Sequence, residues 1–207
     1  MLALSFPKEI PGFGKTMSFI ALNDLTHYVV FAGIAWLLGY VLFRGWWHNR
    51  KIIQEMPSGA DMRREAMWSA LTVFIYGLVG GSTLALKKLG WTQIYAKVDD
   101  YGWGWFWGSI VVVIFVHDAY FYWTHRLIHH PRLFRFFHGV HHESHNPSPW
   151  AAYCFSPGEA VIQAGIFPLI ALTMPIHLGA FGIFMLWQIA FNVAGHTGYE
   201  FHAKWLM

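Results

Sequence analysis

The 207-residue chain is 56% hydrophobic and 19% aromatic but only 12% charged. A soluble domain carries about one quarter charged residues, so polar groups are too few here to clothe a water-facing surface and lipid must cover part of it. The formal net charge of +3 comes with no basic block of the kind that binds nucleic acid, and it fits loops lying against anionic lipid. Cys154 is the single cysteine, which excludes an internal disulfide, a zinc ribbon and an iron–sulfur cluster and leaves histidine or carboxylate as metal ligands.

The opening residues hold Pro7, Pro11, Gly12 and Gly14 without a long apolar core, unlike a cleaved signal peptide. Crossing about 30 Å of hydrocarbon takes roughly 20 mostly apolar helical residues. The first predicted crossing is residues 27–43, closed by Arg44, Trp46 and Trp47 at an interface. The second is residues 67–86, between Arg63–Arg64 and Lys87–Lys88. The third is residues 102–123. Its middle is rich in β-branched residues, but a lone strand in lipid would leave its backbone unsatisfied, so helix is expected.

The last apolar region is interrupted at Pro175 and His177, which predicts a helical hairpin of residues 160–173 and 178–194. The first arm is short and carries Pro168, as a tilted or re-entrant segment would. The expected fold is an all-α integral membrane protein of four to five transmembrane or re-entrant helices. Residues 1–100 form a membrane region with two of them, and residues 101–207 form a histidine-rich region. Arg44, Arg50, Lys51, Arg63, Arg64, Arg126, Arg132 and Arg135 fall on one side, against Lys8, Lys15, Lys87, Lys88 and Lys97 on the other. The positive-inside rule then puts the histidine segment on the cytoplasmic side.

Eight of the 13 histidines lie between His117 and His145. His125 and His129 form an H-x3-H pair, and His138, His141 and His142 an H-x2-H-H set. Residues three and four apart share a helix face, so each set can aim imidazoles at one point, and Pro131 can turn the chain so that the two converge. A lone H-x3-H is usually a surface feature; two sets beside a membrane helix, where polar groups are costly, point to metal. Imidazole ligation suits zinc, copper, iron or nickel. A structural zinc needs only four ligands, so a larger set implies two metals, or one with room for substrate, and oxygen chemistry on lipid. Asp118, Tyr122, His125 and His129 share a face by their 4-3-4 spacing. Asp118 could orient a ligand imidazole or pair with Arg126, and His117 lies one residue round from it. The hairpin returns His196 to the level of the cluster as a further ligand, with Gly195 and Gly198 allowing close backbone approach. His177 is expected on the opposite surface. His130 and His145 read as polar interface residues, His202 as a weaker candidate, and His27 and His48 lie outside any pattern.

The run His117-Asp-Ala-Tyr-Phe-Tyr-Trp-Thr-His125-Arg-Leu-Ile-His129-His130, then His138-Gly-Val-His141-His142, resembles the fatty acid hydroxylase/sterol desaturase superfamily. Asn146-Pro-Ser-Pro-Trp-Ala-Ala and Gly195-His196-Thr-Gly-Tyr199-Glu200 resemble it too, so the likeness covers residues 111–201. The resemblance implies a cytosolic-face centre of two iron ions, zinc being able to take the same ligands. It implies O2-dependent hydroxylation or desaturation of a lipid such as a sterol or fatty acyl chain. His125, His129, His138, His141 and His142 are the implied ligands, with His196 a further one. A last H-x2-H-H box, expected after Gly-His-x-Gly-Tyr, does not occur before Met207. The resemblance thus implies a chain truncated before that box, and an inactive fragment is one reading. With no haem, flavin or iron–sulfur motif, electrons must come from an external membrane donor. Two rival readings remain: a metal transporter or storage protein, whose ligands belong near the membrane midplane, and a zinc lipid hydrolase using Glu143 or Glu200.

Overall fold

The computed structural model describes residues 12–200. Among the described residues, four helices are long and apolar enough to cross a membrane. The first, α1 (Phe13–Trp36), runs on through a π-helical turn, Leu37–Leu42. It starts well before residue 27. Asn23 and Asp24, which precede the predicted start, line an internal cavity, so the helix passes over them without exposing them to lipid.

Helix α2 (Gly59–Lys88) also starts earlier than its apolar stretch. Ser58 caps it by accepting the Asp61 N–H at 3.0 Å, and Lys87 and Lys88 complement the dipole in its last turn. Helices α1 and α2 meet at Gly77, Gly80 and Gly81, which lie against Met17, Ile20 and Ala21; a Cβ on Gly77 would stand 2.8 Å from that of Ala21. Small residues let backbones approach in this way inside a bilayer, where apolar burial alone drives no association.

Helix α3 (Gly102–Ile128) continues past the expected end at residue 123 and carries His125 on its last turn. Two short helices follow, α4 (Pro131–Phe137) and α5 (Gly139–His142). A buried turn at Pro149–Tyr153 leads down to the broken arm, α6 (Pro157–Ala164) and α7 (Ile166–Thr173). The break falls at Gly165, where a Cβ would meet the Tyr120 hydroxyl. Pro168 sits in the first turn of α7, where its missing N–H leaves no helix bond unmade. Because the turn before α6 is itself buried, the short arm still reaches the far side, where the Gln93 N–H donates to the Ala171 carbonyl at 2.7 Å.

There a two-residue parallel ribbon, β1 (Ile94–Tyr95) against β2 (Ile176–His177), closes that end, and α8 (Leu178–Gly195) returns to the histidine side. His177 caps α8 by accepting the Gly179 N–H and donates to the Ala96 carbonyl, a structural role away from the cluster. Exposed tryptophans gather at both ends: Trp46 and Trp123 at the histidine end, Trp91, Trp103 and Trp107 at the other. Trp prefers this position because its ring is amphipathic. One core unites α3, α7 and α8 around Val113, Ile170 and Phe184. A second, nearer the histidines, joins α1, α2 and α8 to the buried turn through Tyr28, Tyr153 and Val193.

Candidate metal centre

The last turn of α3 sets His125 and His129 on one face, their Nε2 atoms 3.1 Å apart. The turn at Pro131 brings the chain back over that helix end, and His138 arrives with its ring 4.6 Å from those of both His125 and His129. Ligand nitrogens of these three histidines lie within 4.8 Å of one another. His142 joins the same side, its ring 4.6 Å from that of His138 and 5.1 Å from that of His129. A second focus lies beside the first. His141 and His196 face each other with Nε2 atoms 3.5 Å apart, and the His138 and His141 rings stand 5.2 Å apart.

Three of the rings are fixed by hydrogen bonds at Nδ1. His138 bonds the Glu159 carboxylate at 2.8 Å, His141 donates to the Cys154 carbonyl at 3.3 Å, and His196 donates to the Asn192 carbonyl at 2.7 Å. A carbonyl only accepts, so at His141 and His196 Nδ1 carries the proton and Nε2 keeps its lone pair, and an ionised Glu159 would set the same tautomer at His138. The His138 Nε2 is buried and has no hydrogen-bond partner among the described residues. Burial pushes the His138 imidazole down to about 4. Burial, then the neighbouring His196 and His138, pushes His141 down to about 3. His142 and His196 are also lowered, chiefly by burial. These imidazoles are therefore neutral at physiological pH, the form that binds metal. Two nitrogens about 2.0–2.1 Å from a shared ion stand about 3.0–3.4 Å apart, close to both observed Nε2 pairs. The donor set fits metal, with His125, His129 and His138 as its tightest group.

Glu159 was not singled out from the sequence. The signal was there: Ser156-Pro-Gly-Glu159 is an S-x-x-E helix start, and Ser156 does accept the Glu159 N–H at 3.2 Å. The arm was expected to begin one residue later, which left Glu159 outside any helix. It is 1% exposed and His138 0%.

Other candidates lie elsewhere. His117 is roughly 12 Å along α3 from His125, stacked on Phe121, with its Nδ1 3.4 Å from Asp118. Both line the cavity below the cluster without touching a ligand imidazole. Tyr122 is 54% exposed and its hydroxyl accepts from Arg126, so the shared face expected for it does not bring it to the cluster. His130 caps α4 by accepting the Arg132 N–H. His145 and His48 are exposed, and His202 lies outside the described residues. Glu143 faces Arg64 at 3.7 Å, and neither it nor Glu200 lines the cavity.

That cavity, about 400 Å³, runs under the histidines between the membrane helices. His125, His138, His141 and His196 form part of its wall, and Ile20, Val79, Leu84, Phe155, Ile166 and Phe184 are among its apolar lining. Phe121, Trp187 and Phe191 line it while also being exposed on the lipid-facing side. Fold and site together define an integral membrane protein with a histidine cluster able to hold metal above an apolar cavity.

Residues 110–207 match the model of the fatty acid hydroxylase family. A Delta(7)-sterol 5(6)-desaturase of Gibberella zeae is 27% identical over 199 residues, 95% of this chain and 56% of that protein. One from Aspergillus fumigatus is 36% identical over 84 residues, 41% of this chain and 26% of that protein. The lathosterol oxidase of Rattus norvegicus is 23% identical over 185 residues, 86% of this chain and 60% of that protein. The chain is similar to members of the fatty acid hydroxylase/sterol desaturase superfamily. It spans little more than half the length of the relatives that match most of it. No solved structure matches it.

Proposed function

We propose that this chain is the histidine-box part of a membrane oxidoreductase that uses iron and O2 to hydroxylate or desaturate a sterol, with its metal site on the cytoplasmic side. The observation that carries this reading is the convergence of Nε2 atoms on the wall of an apolar cavity inside the membrane helices. The names of the relatives point to a Δ7 sterol such as lathosterol as the substrate.

His125, His129, His138 and His142 would hold one ion, and His141 and His196 the other. Bound there, iron supplies the oxidising power to take hydrogen from an unactivated C–H with O2 and electrons from an external membrane donor. The protein's own part is positional. Glu159 and the Cys154 and Asn192 carbonyls fix the rings of His138, His141 and His196. Phe155 and Phe184 keep water from the reacting carbon, and Trp187 and Phe191 border the lipid-side portal. Placement at a helix end, away from the midplane, favours chemistry at the membrane surface over ion transport. The basic residues of the same end, Arg64, Arg126, Arg132 and Arg135, support the cytoplasmic assignment.

The test is a nanodisc preparation given iron, a reducing system, O2 and lathosterol, with products followed by mass spectrometry. Hydroxylated or newly unsaturated sterol that disappears in His125→Ala is expected. Bound iron and steady reductant with no oxidised lipid, from sterol or acyl substrates, would refute the reading.

A further inference from the structure

We infer that Lys51 is a positioning residue of the metal centre: its ammonium ties the segment carrying His141 to the segment carrying His196 and holds the two rings at their spacing. This rests on the reading of those two histidines as metal ligands.

The sequence places Lys51 among the cations of a loop after the first span. The structure buries it, with 4% of the residue exposed. Burying an ammonium is costly unless its charge and its N–H groups are used. Here they are used on both sides of the site. The Lys51 Nζ donates to the Asn146 Oδ1 at 3.3 Å, on the segment that leaves His141 and His142. It also stands 5.6 Å from the ring centroids of both Tyr40 and Tyr199, within cation–π reach of each. Tyr199 follows His196 on the same short segment. One side chain thus touches both segments whose histidines meet with Nε2 atoms 3.5 Å apart.

The backbone around Lys51 is shaped to the same end. Lys51 and Tyr199 form an antiparallel bridge, in which the Ile52 N–H donates to the Gly198 carbonyl at 3.0 Å and the Glu200 N–H to the Arg50 carbonyl at 2.8 Å. Gly198 has a φ of +71°, and a Cβ there would stand 3.1 Å from the Pro147 carbonyl oxygen and 3.4 Å from the Lys51 Nζ. The chain beyond His196 is seated against the ammonium, in a conformation that favours glycine. Tyr40 completes the cage. Its hydroxyl donates to the Thr197 carbonyl at 2.7 Å, and its ring meets that of Tyr199 edge-on at 5.6 Å. The bridge aligns the His196 segment with the loop. The Lys51 side chain, with the Asn146 amide that donates to the Glu55 carbonyl at 2.9 Å, brings the His141 segment to the same loop. A neutral side chain of equal length keeps the bridge and loses both the tether to Asn146 and the charge between the two rings.

The experiment uses the whole chain in nanodiscs: native, Lys51→Met, Asn146→Ala, His125→Ala and His196→Ala. It has two readouts, an anaerobic iron(II) titration against a competing chelator and amide hydrogen exchange of the metal-free protein by mass spectrometry. Lys51→Met is expected to bind the iron that His196→Ala loses about tenfold more weakly, the low end of the loss for a group behind a ligand. It should hold the iron that His125→Ala loses at native affinity, and exchange the amides of residues 196–200 about tenfold faster. Native affinity for both ions, or equal weakening of both as from a general stabiliser, would overturn the inference, and so would native exchange of residues 196–200. Should Lys51→Met not fold, Asn146→Ala decides it, because it leaves the cage intact and removes the tether. The same selective weakening supports the inference, and native affinity overturns it. If His196→Ala binds iron as the native chain does, the ligand reading of that histidine fails. The exchange data, which need neither metal nor turnover, then judge Lys51 alone.

Discussion

Replacing Glu159 by alanine tests whether the metal site is held from behind. The His138 Nδ1 and Glu159 Oε1 are 2.8 Å apart, and both side chains are at most 1% exposed. Without the carboxylate, the His138 ring loses the bond that fixes its orientation and its tautomer. A carboxylate behind a ligand histidine is worth about 10–100-fold in metal affinity, or about 1.4–2.7 kcal/mol. Burial puts Glu159 toward the upper end, since little water reaches the site to replace the lost acceptor. Glu159→Gln keeps an oxygen at the same place and should cost only a few-fold. The assay is an anaerobic iron(II) titration of chelator-stripped protein against a competing chelator, on the native chain, both Glu159 variants and His138→Ala. If Glu159→Ala binds iron as tightly as the native chain while His138→Ala does not, the ring is oriented by something else and the reasoning fails.

The two foci predict separable losses. His141→Ala and His196→Ala should each remove the same one of the two ions, and His125→Ala the other, while His130→Ala removes neither; metal analysis of purified variants reads this directly. The pH dependence of the metal-free protein follows in part from His138, whose imidazole is held near 4 in the fold against an ordinary 6.5. Between those values the unfolded chain binds a proton that the fold refuses, so stability falls as pH drops through the window, by on the order of 3 kcal/mol in full. Thermal unfolding in detergent from pH 7.5 to 4.5 should show the loss, to which the lowered His141 also contributes, and His138→Gln should reduce it. Ser148 donates to buried Glu65 at 2.5 Å. Ser148→Ala leaves that carboxylate short of a partner and should lower unfolding stability by about 1–3 kcal/mol, with iron stoichiometry unchanged in the folded fraction. A midpoint equal to that of the native chain would contradict the structural role assigned to that bond.

The spacing of His125, His129, His138, His141 and His142 was enough to group them, because helical geometry brings residues three and four apart to one face and Pro131 turns the chain between the sets. His196 could be added because a hairpin must return to the side it left. Helix starts were less legible: Asp24 in the first span and the charged opening of α2 break an apolar count without breaking the helix, since their environment is protein and not lipid. Tyr122 shows the limit of a face argument, because a stripe on α3 broad enough to include both His125 and Tyr122 also turns partly outward. The Nδ1 partners were hidden for a different reason. Two of the three are backbone carbonyls, which no residue type announces, and Glu159 was obscured by a helix start placed one residue late.

The Asn146-Pro-Ser-Pro-Trp-Ala-Ala stretch gains a physical role from this geometry. The Trp150 carbonyl accepts from Tyr28 of α1 at 2.7 Å and from Ser69 of α2 at 2.9 Å, and the Ala152 carbonyl accepts from Asn192 of α8 at 2.7 Å. Three membrane helices thus grip one buried turn, and they do so through backbone atoms. That turn leads directly to Cys154, whose carbonyl fixes His141, and then to Glu159, which fixes His138. At the other end of the site, Tyr40 of the α1 extension donates to the Thr197 carbonyl and Tyr199 donates back to the Gly39 carbonyl, which holds the segment bearing His196. His138, His141, His142 and His196 lie on short helices and loops that could not hold them alone. Their positions are inherited from α1, α2 and α8, the helices that also enclose the cavity. A shift of those helices that reshaped the cavity would therefore move the His141 and His196 rings with it, and lipid and metal sites would not vary independently.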